Sequence, residues 1–239
     1  TSGTYSFTGQ FTSPTTATGA YTYTNYSVYG CGSLTQSGTW TASGTATPLT
    51  AAFYSSGQQD GWILESAEAS NVGGTLNSAL TNFSVGDDAL NRQYRGILHF
   101  DTSSLPDKAS ITSATLMIKK QKMVGVNPFT NHQNILVDVK KGSFSNSSAL
   151  QAADFQAKPS RATVGTFKNT PLAGNWYSAN LIAASLQFIN GAGETQFRLR
   201  FKLDDDNDLK TDCFRFFSGN YNPNPTYRPT LTLTYYIFP

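Results

Sequence analysis

The densest run of reactive side chains is Leu203-Asp204-Asp205-Asp206-Asn207-Asp208. Asp204, Asp206 and Asp208 have the alternate spacing of the first ligands in an EF-hand calcium loop. The glycine such a loop needs at its sixth position is replaced by Leu209, and its closing glutamate by Arg215, so this is no EF-hand. The three carboxylates, helped by backbone carbonyls, could still hold Ca2+; the competing reading is a solvated acidic turn between strands. No cofactor is required. Catalysis finds little to work with. The only histidines are His99 and His132, and no G-x-S-x-G motif is present. His99 falls on the outward parity of its segment and is expected at the surface. Glu65, Glu68, Asp101 and Asp138 could supply a carboxylate pair for glycoside cleavage, but no spacing singles one out. No catalytic residue is assigned, and the expectation is a protein that is not an enzyme. Trp176, Tyr177, Tyr221 and Tyr227 lie near loops rich in Asn and Gly and could stack on sugar rings; the alternative is that they are core or corner residues.

These groups must be positioned by strands. From Tyr94 to Phe100, the residues Tyr94, Gly96, Leu98 and Phe100 share one face, and Arg95, Ile97 and His99 the other. Asp101–Asp107 supplies turn chemistry ahead of Pro106, and Ile111, Ala114, Leu116 and Ile118 rebuild an apolar pattern. Ile135, Val137 and Val139 alternate in the same way, as do Phe197, Leu199, Phe201 and Leu203 against Arg198, Arg200 and Lys202. Cys213–Phe217 and Leu231–Ile237 read as the last strands. The segment 125–132 reads as a loop and 147–155 as a short helix. Residues 176–190 carry the strongest helical spacing, Ile182, Leu186 and Ile189, with Gly191 as a stop. Lys119, Lys120 and Lys122 form the one basic cluster and read as a solvent face; with a net charge of only +2, nucleic acid is not an expected partner. No apolar run is long enough for a transmembrane helix, so membrane insertion is not expected.

Residues 1–59 differ from the rest, since the first charged side chain in the chain is Asp60. Tyr5, Phe7 and Phe11 share one parity, and Tyr21 and Tyr23 alternate with threonines, so both stretches read as strands. They either complete the sandwich of the following domain or pair with an identical subunit, because they lack the Lys and Pro that normally guard an edge. Head-to-tail pairing of that kind does not close and would give a filament or surface layer.

The stretch RGILHFDTSSLPDKASITSATLMIK, with TQFRLRFKLDDDND at 195–208 and RPTLTLTYY at 228–236, resembles the DNRLRE domains, secreted β-sandwich modules grouped with carbohydrate-binding modules. The likeness covers roughly residues 60–239; the literal hexapeptide is absent, and residues 1–59 lie outside it. It implies an extracellular or cell-surface, non-catalytic module that in some members binds glycans. The even cysteine count and that setting together lead to an expected Cys31–Cys213 disulfide. The start at Thr1 is read as a processed secreted chain. Asn25, Asn82 and Asn146 open N-x-S triplets that could carry glycans. The expected fold is an all-β, jelly-roll-like antiparallel sandwich with one or two short helices over 60–239, preceded by the strand-rich, charge-free extension 1–59. The expected role is self-assembly of identical subunits, with adhesion to surface glycans as the alternative.

Overall fold

A computed structural model of the chain describes residues 2–13, 15–26, 34–44 and 46–237. Chain contacts divide it into two units, residues 1–49 with 236–239, and residues 50–235. The smaller unit is a three-stranded antiparallel sheet of β1 (Ser2–Ser13), β2 (Thr16–Tyr26) and β3 (Leu34–Ser43), in that order.

The larger unit is the all-β sandwich. Its strands in chain order are β4 (Leu49–Tyr54), β5 (Gly61–Glu65), β6 (Gly73–Asn77), β7 (Asn82–Asp87), β8 (Gln93–Asp101), β9 (Ala109–Val124), β10 (Ile135–Lys141), β11 (Arg161–Phe167), β12 (Trp176–Asn180), β13 (Glu194–Phe201), β14 (Cys213–Phe217) and β15 (Thr230–Ile237). They are linked in the order β11-β10-β13-β8-β7-β14-β9-β15-β4, with β12 added to β9 and the β5–β6 pair added to β8. The sheet curls over at β7, which pairs with β8 on one side and β14 on the other. Because β4 lies beside β15 and Phe53 is in the core, the sandwich begins near Thr50, earlier than the 59/60 boundary expected from the charge pattern.

Alternation explains the core. Val139, Phe197 and Leu98 stand opposite one another across β10, β13 and β8, and the next inward row is Val137, Leu199 and Gly96. Gly96 is needed there because a Cβ would lie 2.7 Å from the Phe83 ring. From the other half come Leu116 and Ile118 of β9, Phe214 and Phe216 of β14, and Leu231 and Leu233 of β15. Burying large aliphatic and aromatic side chains contributes about 1.5–3 kcal/mol each, which is what holds the two halves together.

Three local expectations are corrected. The outward parity of β8 is not at the surface: Ile97 packs with Ile63, Phe144, Leu150 and Phe155 in a second, smaller core, and His99 is buried. The 144–155 connection lies over this face of the sheet, so β8 is buried on both sides. Residues 176–190 do not form one helix. Trp176–Asn180 is β12, paired antiparallel with β9, and only Ala183–Phe188 coils, as a 3-10 helix. Residues 125–132, expected as a loop, contain the single α-helical turn α1 (Pro128–Asn131), and its Asn127 cap accepts the Phe129 N–H at 3.1 Å. Cys213 is a buried free thiol whose pKa burial pushes up to about 11, and Cys31 lies outside the described residues, so the expected disulfide has no counterpart among them.

Asp60 ties this architecture together. Its carboxylate accepts the His99 N–H at 2.8 Å, the Gly219 N–H at 2.9 Å and the Ser55 hydroxyl at 2.5 Å, joining β8 to two turns. Burial outweighs these bonds and pushes the acid from 3.8 up to about 7. A folded-state value raised above the unfolded one means that its contribution to stability is full below about pH 4 and lost as pH rises through about 7. In Asp60→Asn this dependence is gone. Thermal unfolding of both proteins should show wild type losing ground to the variant as pH rises from about 4 to 8; a flat difference would contradict it.

Candidate functional site

The register of the N-terminal sheet sorts its side chains completely. Tyr5 stands opposite Tyr23, Phe7 opposite Tyr21 and Gly9 opposite Gly19, and β3 continues these rows with Gln36, Gly38 and Trp40. Successive residues point to opposite faces. One face therefore carries the aromatic rings, and the other carries hydroxyls such as Thr8, Thr22, Thr24, Thr39 and Thr41. Tyr5 and Tyr23 stack with ring centres 4.5 Å apart, Phe7 and Tyr21 at 6.1 Å. The Trp40 ring occupies the space above Gly9 and Gly19, since a Cβ on Gly19 would come 2.6 Å from the indole. Large rings leaning across glycines on neighbouring strands compensate for the missing side chains. Tyr5 remains 70% exposed and Phe7 68%, so these two rings are largely open among the described residues. The residues expected to drive assembly, Tyr5, Phe7, Phe11, Tyr21 and Tyr23, are thus brought onto one face. Trp40 and its glycine trough were missed, although the shared parity of Gly3, Gly9, Tyr5 and Phe7 was the available signal.

The sugar-stacking candidates divide. Tyr177 is core, 2% exposed and stacked on Phe129 at 5.7 Å. Trp176 and Tyr227 flank Lys119 of β9, and Tyr221 stacks on Tyr227. The Lys119 ammonium sits 4.2 Å from the Tyr227 ring centre and 5.4 Å from that of Trp176, and it donates to the Gly174 carbonyl at 2.6 Å. Tyr221 and Tyr227 run parallel at 5.9 Å, and both meet Phe217. A cation over these rings is a self-contained packing arrangement. The triplet asparagines are scattered: Asn25 on β2, Asn82 opening β7, and Asn146 exposed in a left-handed turn at φ 59°. Glu65 and Asp138, two of the acids weighed for catalysis, are buried and bound to backbone N–H groups, while Glu68 and Asp101 are exposed.

The acidic run folds into a different trio from the one its spacing suggested. One carboxylate oxygen from each of Asp206, Asp208 and Asp212 lies within 4.8 Å of the other two, whereas Asp204 is exposed and outside the group. Asp212 is drawn in because its Oδ1 accepts the Val126 N–H at 2.6 Å and its own N–H donates to Asp87 at 2.9 Å. Asn131, the last residue of α1, donates to Asp206 at 2.6 Å and to Asp212 at 3.4 Å. The neighbouring His132 is wholly buried, with Nε2 3.5 Å from Asp87 Oδ1. That is ion-pair range without hydrogen-bond geometry, and both ring nitrogens lack a hydrogen-bond partner. Burial opposes the charged ring, but Asp87, with Asp206 and Asp212, draws it above its ordinary value. Among the described residues, no helix is long and apolar enough to cross a membrane.

No family model matches this chain, and no curated protein does. Among solved structures it is similar to a beta-porphyranase of glycoside hydrolase family 86 from the human gut bacterium Bacteroides plebeius, at 8% identity and a TM-score of 0.33. That alignment covers 98% of this chain and 37% of the porphyranase, so the chain spans little more than a third of that protein's length.

Proposed function

We propose that this chain is a non-catalytic structural subunit of an extracellular or cell-surface assembly, and that identical copies associate through the edges of the N-terminal sheet. The observation that carries this reading is the pair of outer strands. Among the described residues, β1 and β3 each have one neighbour, β2, and neither carries a charged side chain. Such edges are templates for another strand. Three strands carrying exposed Tyr5 and Phe7 on one face are also at the lower limit for a sheet that stands alone. Because β1 is paired with β2 along its length, association is edge to edge, β3 of one copy against β1 of the next, rather than a strand leaving its own sheet. That contact is heterologous, does not close, and propagates. Glycan binding at Trp176, Tyr221 and Tyr227 is the less favoured reading, because Lys119 lies over the Trp176 and Tyr227 rings and Tyr221 is stacked on Tyr227.

Two lysines on the edge test it. Thr39→Lys with Thr41→Lys places charges on exposed positions of β3, which should turn associated protein into monomers of 25.9 kDa by light scattering. Thr22→Lys, on the same hydroxyl face but on the central strand, should leave association intact. Association that survives the edge lysines would rule out β3 as the interface.

A further inference from the structure

We propose that Tyr5 and Tyr23 form a site of oxidative coupling, at which hydrogen peroxide acting through a haem peroxidase joins the two phenol rings of one chain into a dityrosine. The two residues stand opposite each other across β1 and β2, and their rings stack with centres 4.5 Å apart and planes 23° from parallel. Cross-strand partners of this kind have Cβ atoms about 4.5–5.5 Å apart, so both rings are on a short tether. The sequence makes room for the arrangement. A Cβ on Gly3 would come 2.8 Å from Cε2 of Tyr23 and 3.2 Å from its hydroxyl, so the Tyr23 ring leans over the glycine two residues before Tyr5 on the same face. Desolvation, then the charge and the hydrogen bond of the Tyr5 hydroxyl, hold the Tyr23 phenol above its ordinary value, which sets the two O–H groups side by side. Tyr5 is 70% exposed, so an oxidant reaches it from solvent.

In the coupling each phenol loses one electron and its O–H proton to give a phenoxyl radical, whose spin lies partly on the ring carbons next to the hydroxyl. One such carbon of each ring joins the other in a new C–C bond, and each then passes its hydrogen back to its own phenol oxygen. The chain loses two hydrogen atoms in all, and one H2O2 is reduced to two waters. Two tethered rings already in contact couple without a bimolecular encounter, which favours this pair over tyrosines of separate copies. Among the described residues, Tyr21 faces Phe7, which has no phenol. The stacked pair Tyr221 and Tyr227 is wider, at 5.9 Å, and has Lys119 over the Tyr227 ring. The product closes β1 and β2 into a covalent ring and restricts their unfolded conformations. Association of copies through strand edges leaves the side chains on the ring face free, so the coupling does not depend on that reading.

The test is to treat the dilute full chain with a haem peroxidase and H2O2, beside the Thr39→Lys, Thr41→Lys double variant, and to follow dityrosine fluorescence, intact mass and fragment-ion spectra. Wild type should gain the fluorescence, lose two hydrogen atoms without joining a second chain, and give fragments that place the bridge between Tyr5 and Tyr23. The edge-lysine variant should do the same, which separates this result from the fate of the assembly reading. Tyr5→Phe and Tyr23→Phe should each lower the intrachain product at least about 10-fold, since no second pair is so closely placed. Tyr221→Phe should leave it unchanged. No intrachain product in wild type, a product that persists in both Tyr5→Phe and Tyr23→Phe, coupling at Tyr221 and Tyr227 instead, or covalent dimers alone would each overturn the assignment.

Discussion

Asp138→Ala is expected to destabilise the sandwich by about 3–5 kcal/mol, among the largest single-residue effects in the chain. Asp138 is 1% exposed on β10, and its partner Arg198 is 5% exposed on β13. Arg198 donates to Asp138 Oδ2 through Nε at 3.2 Å and Nη2 at 2.9 Å, while the other oxygen accepts the Thr163 N–H at 3.0 Å. The remaining guanidinium nitrogen is taken by the carbonyls of Asp154, Phe155 and Ala157, which pins the covering connection to the sheet. Arg95 acts beside it, reaching the Phe155 carbonyl at 2.7 Å and lying 3.8 Å from the Phe155 ring centre. Removing Asp138 leaves a buried guanidinium half-paired and a strand N–H unsatisfied. Urea unfolding should therefore show the full loss in Asp138→Ala. When Arg198→Met is added, the combined loss should be smaller than the sum of the two single losses. A loss below about 1 kcal/mol in the alanine variant would mean that the pair is open to water.

Phe129→Ala should cost about 3–5 kcal/mol, a fall in Tm on the order of 10 °C for a unit of this size. The one turn of α1 presents this ring to the core, where it stacks on Tyr177 and meets Phe201 at 5.2 Å and Phe214 at 5.5 Å. Those partners come from β12, β13 and β14, so the ring fills space that no neighbour on its own segment could close. Phe129→Leu should lose less. Equal and small losses in both variants by calorimetry would show that the ring is not packed as described.

Period-two alternation makes β8, β10 and β13 legible in the amino-acid sequence, because each has one face that must enter the core. What alternation cannot report is what lies on the other face. Arg198 and His99 occupy positions that resemble a solvent side, and only the return of residues 144–155, far along the chain, buries them. The helical spacing at Ile182, Leu186 and Ile189 failed for a related reason. Ile182 is 43% exposed, so the stripe has two buried members rather than three, and the preceding residues gain more by pairing with β9. In the acidic cluster, Asp212 lies outside the spacing motif; it joins through backbone contacts to Val126 and Asp87 that are long-range in sequence. The N-terminal aromatics are legible as strands, but their gathering on one face over glycines depends on register, which alternation alone does not set.

The measurement that bears most directly on the assembly of this chain is negative-stain electron microscopy of the purified wild-type protein. Edge-to-edge pairing of the N-terminal sheet predicts regular filaments or sheets whose repeat is one chain. A uniform field of single 25.9 kDa particles at the concentrations used would contradict it.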